Sequence, residues 1–168
     1  DDVVIITFHR GYLNQYRDTH VSTRLRNKEV DKLVNSLINY DKFIKELNLR
    51  GVKVILIKDV PLLKTHSTID TCILQDKIFK WNACDVSIKQ DKATRLSQDL
   101  LFDFLKSNNN NVYIWDPRDY MISRQGFYSY KDINDKVIMQ DNHHITQEFS
   151  ERLSIYFKEF LLLLEIDI

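Results

Sequence analysis

Glycine and proline are scarce. Together they make about 3 % of the 168-residue chain, against about 12 % in an average protein. That excludes collagen-like repeats and proline-rich linkers. Gly11, Gly51 and Gly126 stand too far apart to build a glycine-rich phosphate cradle. A net charge is also missing, because 24 Lys and Arg balance 24 Asp and Glu. No chain-wide basic field exists, so nucleic acid is not an expected partner. Long apolar runs are absent too. The run near the C-terminus, Phe160 to Leu164, falls far short of the roughly 20 residues that span a bilayer. The N-terminal Asp1-Asp2-Val3-Val4-Ile5-Ile6 has neither the basic region nor the cleavage site of a signal peptide. It has no initiator Met, and its β-branched run starts at the third residue. This reads as a fragment of a longer polypeptide.

What is present is ordinary for a globular domain: 43 % hydrophobic and 29 % charged residues, with enough length to bury a core. Val3 to Phe8 is β-branched and almost continuously apolar, the pattern of a strand buried on both faces of a parallel sheet. Tyr12 to Thr23 is polar and predicts a loop. Val30, Leu33, Val34, Leu37, Ile38, Ile44 and Leu47 follow the spacing of one helical face, which Gly51 would cap. Val52 to Ile57 predicts a second strand, closed by Asp59-Val60-Pro61, with an irregular stretch to about Thr71. Leu96, Leu100, Leu101, Phe104 and Leu105 predict a second helix, broken at Ser107 to Asn111. Val112 to Trp115 predicts a third strand. Met121 to Lys136 predicts a loop holding at most a hairpin. Gln147 to Leu164 predicts a last helix with Phe149, Leu153, Tyr156, Phe157 and Phe160 on one face.

Alternating strands and helices argue for a parallel sheet sandwiched between helices, with further strands expected upstream. In open α/β sheets ligands bind beyond the C-terminal strand ends. His9-Arg10-Gly11, Asp59-Val60-Pro61 and Asp116 to Asp119 should meet there, and Gln140 to Thr146 can be placed at the same edge. Asp141 and His144 are three apart. In a tight turn, such a carboxylate can accept a hydrogen bond from the imidazole, fix its tautomer and leave the other nitrogen as a base. The spacing equally suits a plain helix cap at Asp141 or Asn142 beside surface histidines.

Asp141-x-x-His144 followed by Ile145-Thr146 resembles the C-terminal block of SGNH-type hydrolases. The segment from about Val3 to Leu153 more narrowly resembles the SGNH-like extracytoplasmic domain fused to membrane acyltransferases of family 3. Asp2 to Ile6 leading to Arg10, the strand Val52 to Pro61, the Cys72 and Cys84 pair, and Trp115-Asp116-Pro117 fall in the same order. The resemblance implies an α/β fold: a three-layer α/β/α, SGNH-hydrolase-like (flavodoxin-like) parallel sheet. Residues 1–168 would form one such domain, N-terminally incomplete. It implies O-acylation, usually O-acetylation, of a cell-surface glycan, with His144 as general base and Asp141 as its orienting carboxylate. His143 is not carried over, since the spacing selects the histidine three after the aspartate. No cofactor is implied. The partners are a glycan acceptor, an acyl donor and a membrane acyltransferase module in the same polypeptide, at the periplasmic or extracellular face.

Two departures stand out. No serine follows a Gly-Asp pair, so the nucleophile is expected in a preceding segment. The asparagine oxyanion donor is also missing after the first strand, where Phe8-His9-Arg10-Gly11 stands instead. His9 and Arg10 are the candidates there for holding an oxyanion or a substrate carboxylate. Without the serine, the chain would be a glycan-binding or scaffold domain with a decayed triad. With water as acceptor, the same machinery would be a carbohydrate esterase.

Cys72 and Cys84 read as a disulfide of an oxidising compartment, with two separate buried thiols as the alternative, and the family position favours the disulfide. Cys-x11-Cys is not a zinc spacing, and His66 has no partner ligand. His143 and His144 are not expected to bind metal, because adjacent side chains diverge. No metal site is expected. Arg17, Arg24, Arg26 and Lys28 read as a solvated helix face or as a contact for an acidic glycan or phospholipid. Tyr12, Tyr16, Trp81, Tyr120, Phe127, Tyr128 and Tyr130 read as sugar-stacking or as a satellite core beneath loops.

Overall fold

The structure is a computed structural model that describes residues 2–7, 23–64, 69–79, 84–122 and 126–166. Their contacts divide them into two compact units. The first comprises residues up to Lys58 together with Arg95–Trp115, and the second comprises Asp59–Thr94 and Asp116–Ile168.

The first unit holds a parallel sheet. Strand β1 (Val3–Thr7) pairs with β2 (Lys53–Ile57), and β2 pairs with β4 (Val112–Trp115). The register sets Val4, Val54 and Val112 in one row and Ile6, Leu56 and Ile114 in the next on the same face. Helix α1 (Thr23–Leu49) and the end of helix α3 (Ile88–Asn108) bring Ile44, Leu101, Phe102 and Leu105 onto that face to form the core. Ile55, on the opposite face, is also fully buried, as a strand apolar on both sides requires. Gly51 takes φ +77°, and the Val52 N–H turns back to the Leu47 carbonyl at 3.1 Å. That left-handed step is the cap read from the sequence. Asn109 Nδ2 donates to Asp41 Oδ1 (3.0 Å), joining the end of α3 to α1, and Lys58 Nζ reaches Asp99 Oδ1 (2.6 Å). The Lys58 N–H donates to the Trp115 carbonyl at 3.0 Å, so β2 and β4 leave the sheet side by side.

Several expectations need correction. Helix α1 starts at Thr23, before the expected Val30, and takes in residues 24–28. Val34 and Ile38 on it are exposed. Helix α3 starts at Ile88, not near Leu96, and the apolar face read from its sequence is split. Leu101 and Leu105 point inward, whereas Leu96, Leu100 and Phe104 are exposed. The positions buried in its first half are polar, Asp91, Arg95 and Gln98, which an apolar period cannot register.

In the second unit, helix α2 (Ile69–Phe79) occupies the stretch read as irregular to about Thr71 and lies largely beyond it. It buries Ile69 and Cys72 but exposes Leu74, Ile78 and Phe79, which blurs its period. A short antiparallel pair joins β3 (Val86–Ser87) to β5 (Phe127–Tyr128). A 3-10 turn spans Pro117–Tyr120. Helix α4 (Gln147–Leu163) buries Phe149, Leu153 and Leu161, while Tyr156 from its expected face is exposed and stacks on Tyr120.

Long-range polar contacts tie this unit together. Tyr130 Oη and Lys131 Nζ converge on Asp76 of α2, at 2.5 and 2.9 Å. Burial, then the contact with Asp76, pushes the Tyr130 hydroxyl up to about 12. Ile138 and Met139 are fully buried just before the turn that carries Asp141. No helix among the described residues is long and apolar enough to cross a membrane.

Candidate active site

The residues from Gln140 to Ile145 form a closed turn. An antiparallel bridge pairs Met139 with Ile145, and the Gln140 N–H donates to the His144 carbonyl at 2.8 Å. The Leu63 N–H donates to the Asn142 carbonyl at 2.9 Å, and the Thr146 N–H donates to the Ile138 carbonyl at 2.9 Å. Both flanks of the turn are therefore held by backbone hydrogen bonds. Helix α4 starts immediately after it. Its cap is Thr146, whose Oγ1 accepts from the Phe149 N–H at 3.3 Å. The capping reading for Asp141 or Asn142 is thereby corrected: the cap is supplied elsewhere.

Asp141 is used twice. Its Oδ1 accepts the backbone N–H groups of His143 and His144, both at 2.8 Å, and its Oδ2 lies 2.6 Å from His144 Nδ1. Burial alone would raise this carboxyl. The His143 backbone, the His144 ring and the His144 backbone outweigh it and hold the group down at about 2. Asp141 is therefore ionised at neutral pH. An ionised carboxylate only accepts, so Nδ1 carries the imidazole proton and Nε2 keeps its lone pair. The His144 side chain is 61 % exposed, Asp141 34 %. Chemically, such an arrangement can act as a base with an orienting acid, reachable from solvent. No serine hydroxyl is bonded to His144 among the described residues.

His143 lies beside the pair. Its Nδ1 is 2.5 Å from Asn142 Oδ1, and its ring centroid is 3.8 Å from that of His144. The expectation that the two histidines diverge is thus wrong. A tight turn whose consecutive N–H groups share one carboxylate oxygen brings the neighbouring side chains to one side.

His9 and Arg10 lie outside the described residues, as do Tyr12, Tyr16, Arg17, His66 and Trp81. Cys72 and Cys84 form a disulfide with a Cα–Cα separation of 5.7 Å. It links α2 to the segment leading into β3. Asp116, expected at the ligand edge, is engaged by protein. Arg118 Nε and Nη2 donate to its two oxygens, each at 2.7 Å, and Arg118 Nη1 reaches Asp91 Oδ2 at 3.5 Å. The Arg118 and Asp91 side chains are fully buried. Sequence reading missed this cluster. Its one local signal was Asp116-Pro117-Arg118 directly after a strand, where the aspartate N-caps a turn and faces the arginine two residues on.

Comparison with protein families matches residues 1–159 to the SGNH domain (fused to AT3 domains). No curated protein and no solved structure gives a significant match. The α/β architecture, with its parallel sheet and flanking helices, agrees with the family match, and nearly the whole chain is covered. The chain belongs to the SGNH domains fused to AT3 acyltransferase domains.

Proposed function

We propose that this chain is the extracytoplasmic domain of a bacterial O-acyltransferase that modifies a cell-surface glycan, with acetyl as the acyl group. It would act through a Ser-His-Asp triad whose serine lies outside the chain. The observation that carries this reading is the pairing of an ionised Asp141 with His144 Nδ1, which leaves Nε2 as the base. The description of the family supports it, since an AT3 acyltransferase module in the same polypeptide is a ready source of the acyl donor. The Cys72–Cys84 disulfide supports an oxidising compartment.

In this mechanism His144 Nε2 takes the serine proton as the oxygen attacks the acyl carbonyl. Asp141 stabilises the imidazolium that forms. The imidazolium returns the proton to the departing group, leaving an acyl-serine. A sugar hydroxyl then attacks the acyl-serine, again giving its proton to His144, and the serine recovers that proton as it leaves. Water in place of the sugar would make the same machinery an esterase. His9 and Arg10, after the first strand, are the proposed oxyanion or substrate-carboxylate contacts.

The test is His144→Ala in the full-length protein, with glycan O-acylation measured in cells and protein level by immunoblot. Acylation should be lost at normal protein level. Unchanged acylation would refute the catalytic role. That result would favour the second reading, a glycan-binding or scaffold domain.

A further inference from the structure

The turn that holds the Asp141–His144 pair gathers a third ligand-type side chain. One oxygen of Asp141 and one ring nitrogen each from His143 and His144 lie within 4.8 Å of one another. His143 Nδ1 is 3.3 Å from Asp141 Oδ1, and His144 Nδ1 is 2.6 Å from Asp141 Oδ2. All three side chains reach solvent: Asp141 is 34 % exposed, His143 39 % and His144 61 %. An ion can therefore enter without opening the fold.

The donor set suits a borderline-soft divalent ion. Zinc binds imidazole nitrogen and carboxylate oxygen at about 2.0–2.2 Å, which in a tetrahedron sets neighbouring donors about 3.3 Å apart. His143 Nδ1 stands at that separation from Asp141 Oδ1, so its ring must turn toward the other oxygen of the same carboxylate. His144 needs to swing outward by less than about 1 Å. Asp141 Oδ1 stays with the two backbone N–H groups that shape the turn, so Oδ2 is the oxygen available to a metal.

We propose that Asp141, His143 and His144 form a Zn2+ site, with two imidazoles and one carboxylate as ligands and a fourth position open to water, and that the ion switches the His144 base off. The switch rests on the function proposed above; the site itself does not. A neutral imidazole that coordinates through Nδ1 must carry its proton on Nε2. On binding, the protons of His143 and His144 each move by way of solvent from Nδ1 to Nε2, with no net release, and His143 gives up its contact with Asn142 Oδ1. His144 Nε2 then lacks the lone pair that would accept the proton of an attacking hydroxyl. The bond from His144 to Asp141 is exchanged for two bonds to the same ion.

The first experiment is calorimetric titration of ZnCl2 into the full chain at neutral pH in a non-coordinating buffer. Parent, His143→Ala, His143→Gln and Asp141→Asn would be compared, with circular dichroism as the check on folding. The expected result is one saturable site in the parent, weakened at least about tenfold in each variant, since losing even an outer partner of a metal ligand costs about 10–100-fold. Nitrogen-15 spectra of labelled histidine should show the His144 proton passing from Nδ1 to Nε2 on saturation. Absence of saturable binding up to about 1 mM Zn2+ would overturn the site. So would an affinity that His143→Ala leaves unchanged, because the ion would then sit on other histidines.

The full-length protein separates the two claims. Acylation that persists in His144→Ala overturns the proposed function and leaves the binding isotherm as measured. Acylation that needs His144 yet ignores saturating Zn2+ overturns the switch.

Discussion

Arg118→Met removes a fully buried guanidinium that bridges the buried Asp91 and the partly exposed Asp116. The side chains of Arg118 and Asp91 are both 0 % exposed. Two short charge-assisted hydrogen bonds to Asp116 disappear, each of about 1.5–3 kcal/mol. Asp91 loses the guanidinium beside its carboxylate. Methionine refills much of the apolar stem, so the cavity contribution is small. Breaking a buried ion pair from one side typically destabilises by about 3–5 kcal/mol, within the range of the two lost bonds. For a chain of this size that lowers Tm by roughly 6–20 °C. The assay is urea unfolding followed by far-UV circular dichroism and tryptophan fluorescence, with the slope checked for constancy. Arg118→Lys keeps the charge but loses the planar fork, and should fall between parent and Met. Adding Asp91→Asn to Arg118→Met should recover part of the loss, with a coupling of about 0.5–3 kcal/mol. A loss below about 1 kcal/mol for Arg118→Met at unchanged slope would refute the reasoning, since the buried Asp91 would then not depend on this counter-charge.

Asp141→Asn should turn an NH2 group toward His144 Nδ1 and invert the imidazole tautomer. In the full-length protein the proposed acyl transfer should fall by about 10⁴-fold in kcat with KM little changed, and a loss under tenfold would exclude an orienting role. Asp141 also links stability to pH: its folded value, about 2, lies below the ordinary 3.8. The stabilisation is present above pH 3.8 and is lost as pH falls toward 2. Screening at a side chain one-third exposed reduces it to about 1 kcal/mol. Acid titrations of stability should show this slope in the parent and lose it in Asp141→Asn; matching slopes would refute the assignment. Cys72→Ser with Cys84→Ser opens a loop closed at a separation of 12 residues. Stability measured by urea unfolding should drop by about 3 kcal/mol, and a drop below about 1 kcal/mol would show that the loop is ordered without the bond.

The parts of the fold that the sequence showed clearly are those whose cause is local. Strand β2 reads Lys-Val-Ile-Leu-Ile, and Val54, Ile55 and Leu56 are all fully buried. A run of that kind suits a strand covered on both faces, but the similar run Val3–Thr7, expected to be buried on both faces, leaves Ile5 exposed, because among the described residues β1 pairs with β2 alone. The Gly51 cap was legible for the same reason: a left-handed step favours glycine, and the step follows the helix closely. Helix α3 was misread because burial there is not governed by hydrophobicity. Asp91, Arg95 and Gln98 are inside and Leu96, Leu100 and Phe104 outside. What draws Asp91 inward is an arginine 27 positions away. No window along the sequence contains both partners. Tyr130 and Asp76, 54 apart, pose the same difficulty.

The Asp141–His144 pair lies at the other extreme, three residues apart within one turn, so its chemistry was open to a spacing argument. His143 escaped that argument. The rule that adjacent side chains diverge describes extended strands, where Cβ atoms alternate between faces. It fails where two consecutive N–H groups converge on one carboxylate oxygen. Asp141 therefore does more than hold the His144 ring. By folding the turn about its Oδ1 it brings the second imidazole to 3.8 Å from the first. Backbone geometry set by one side chain thus determines whether this site holds a base alone or a base that a metal ion can reach.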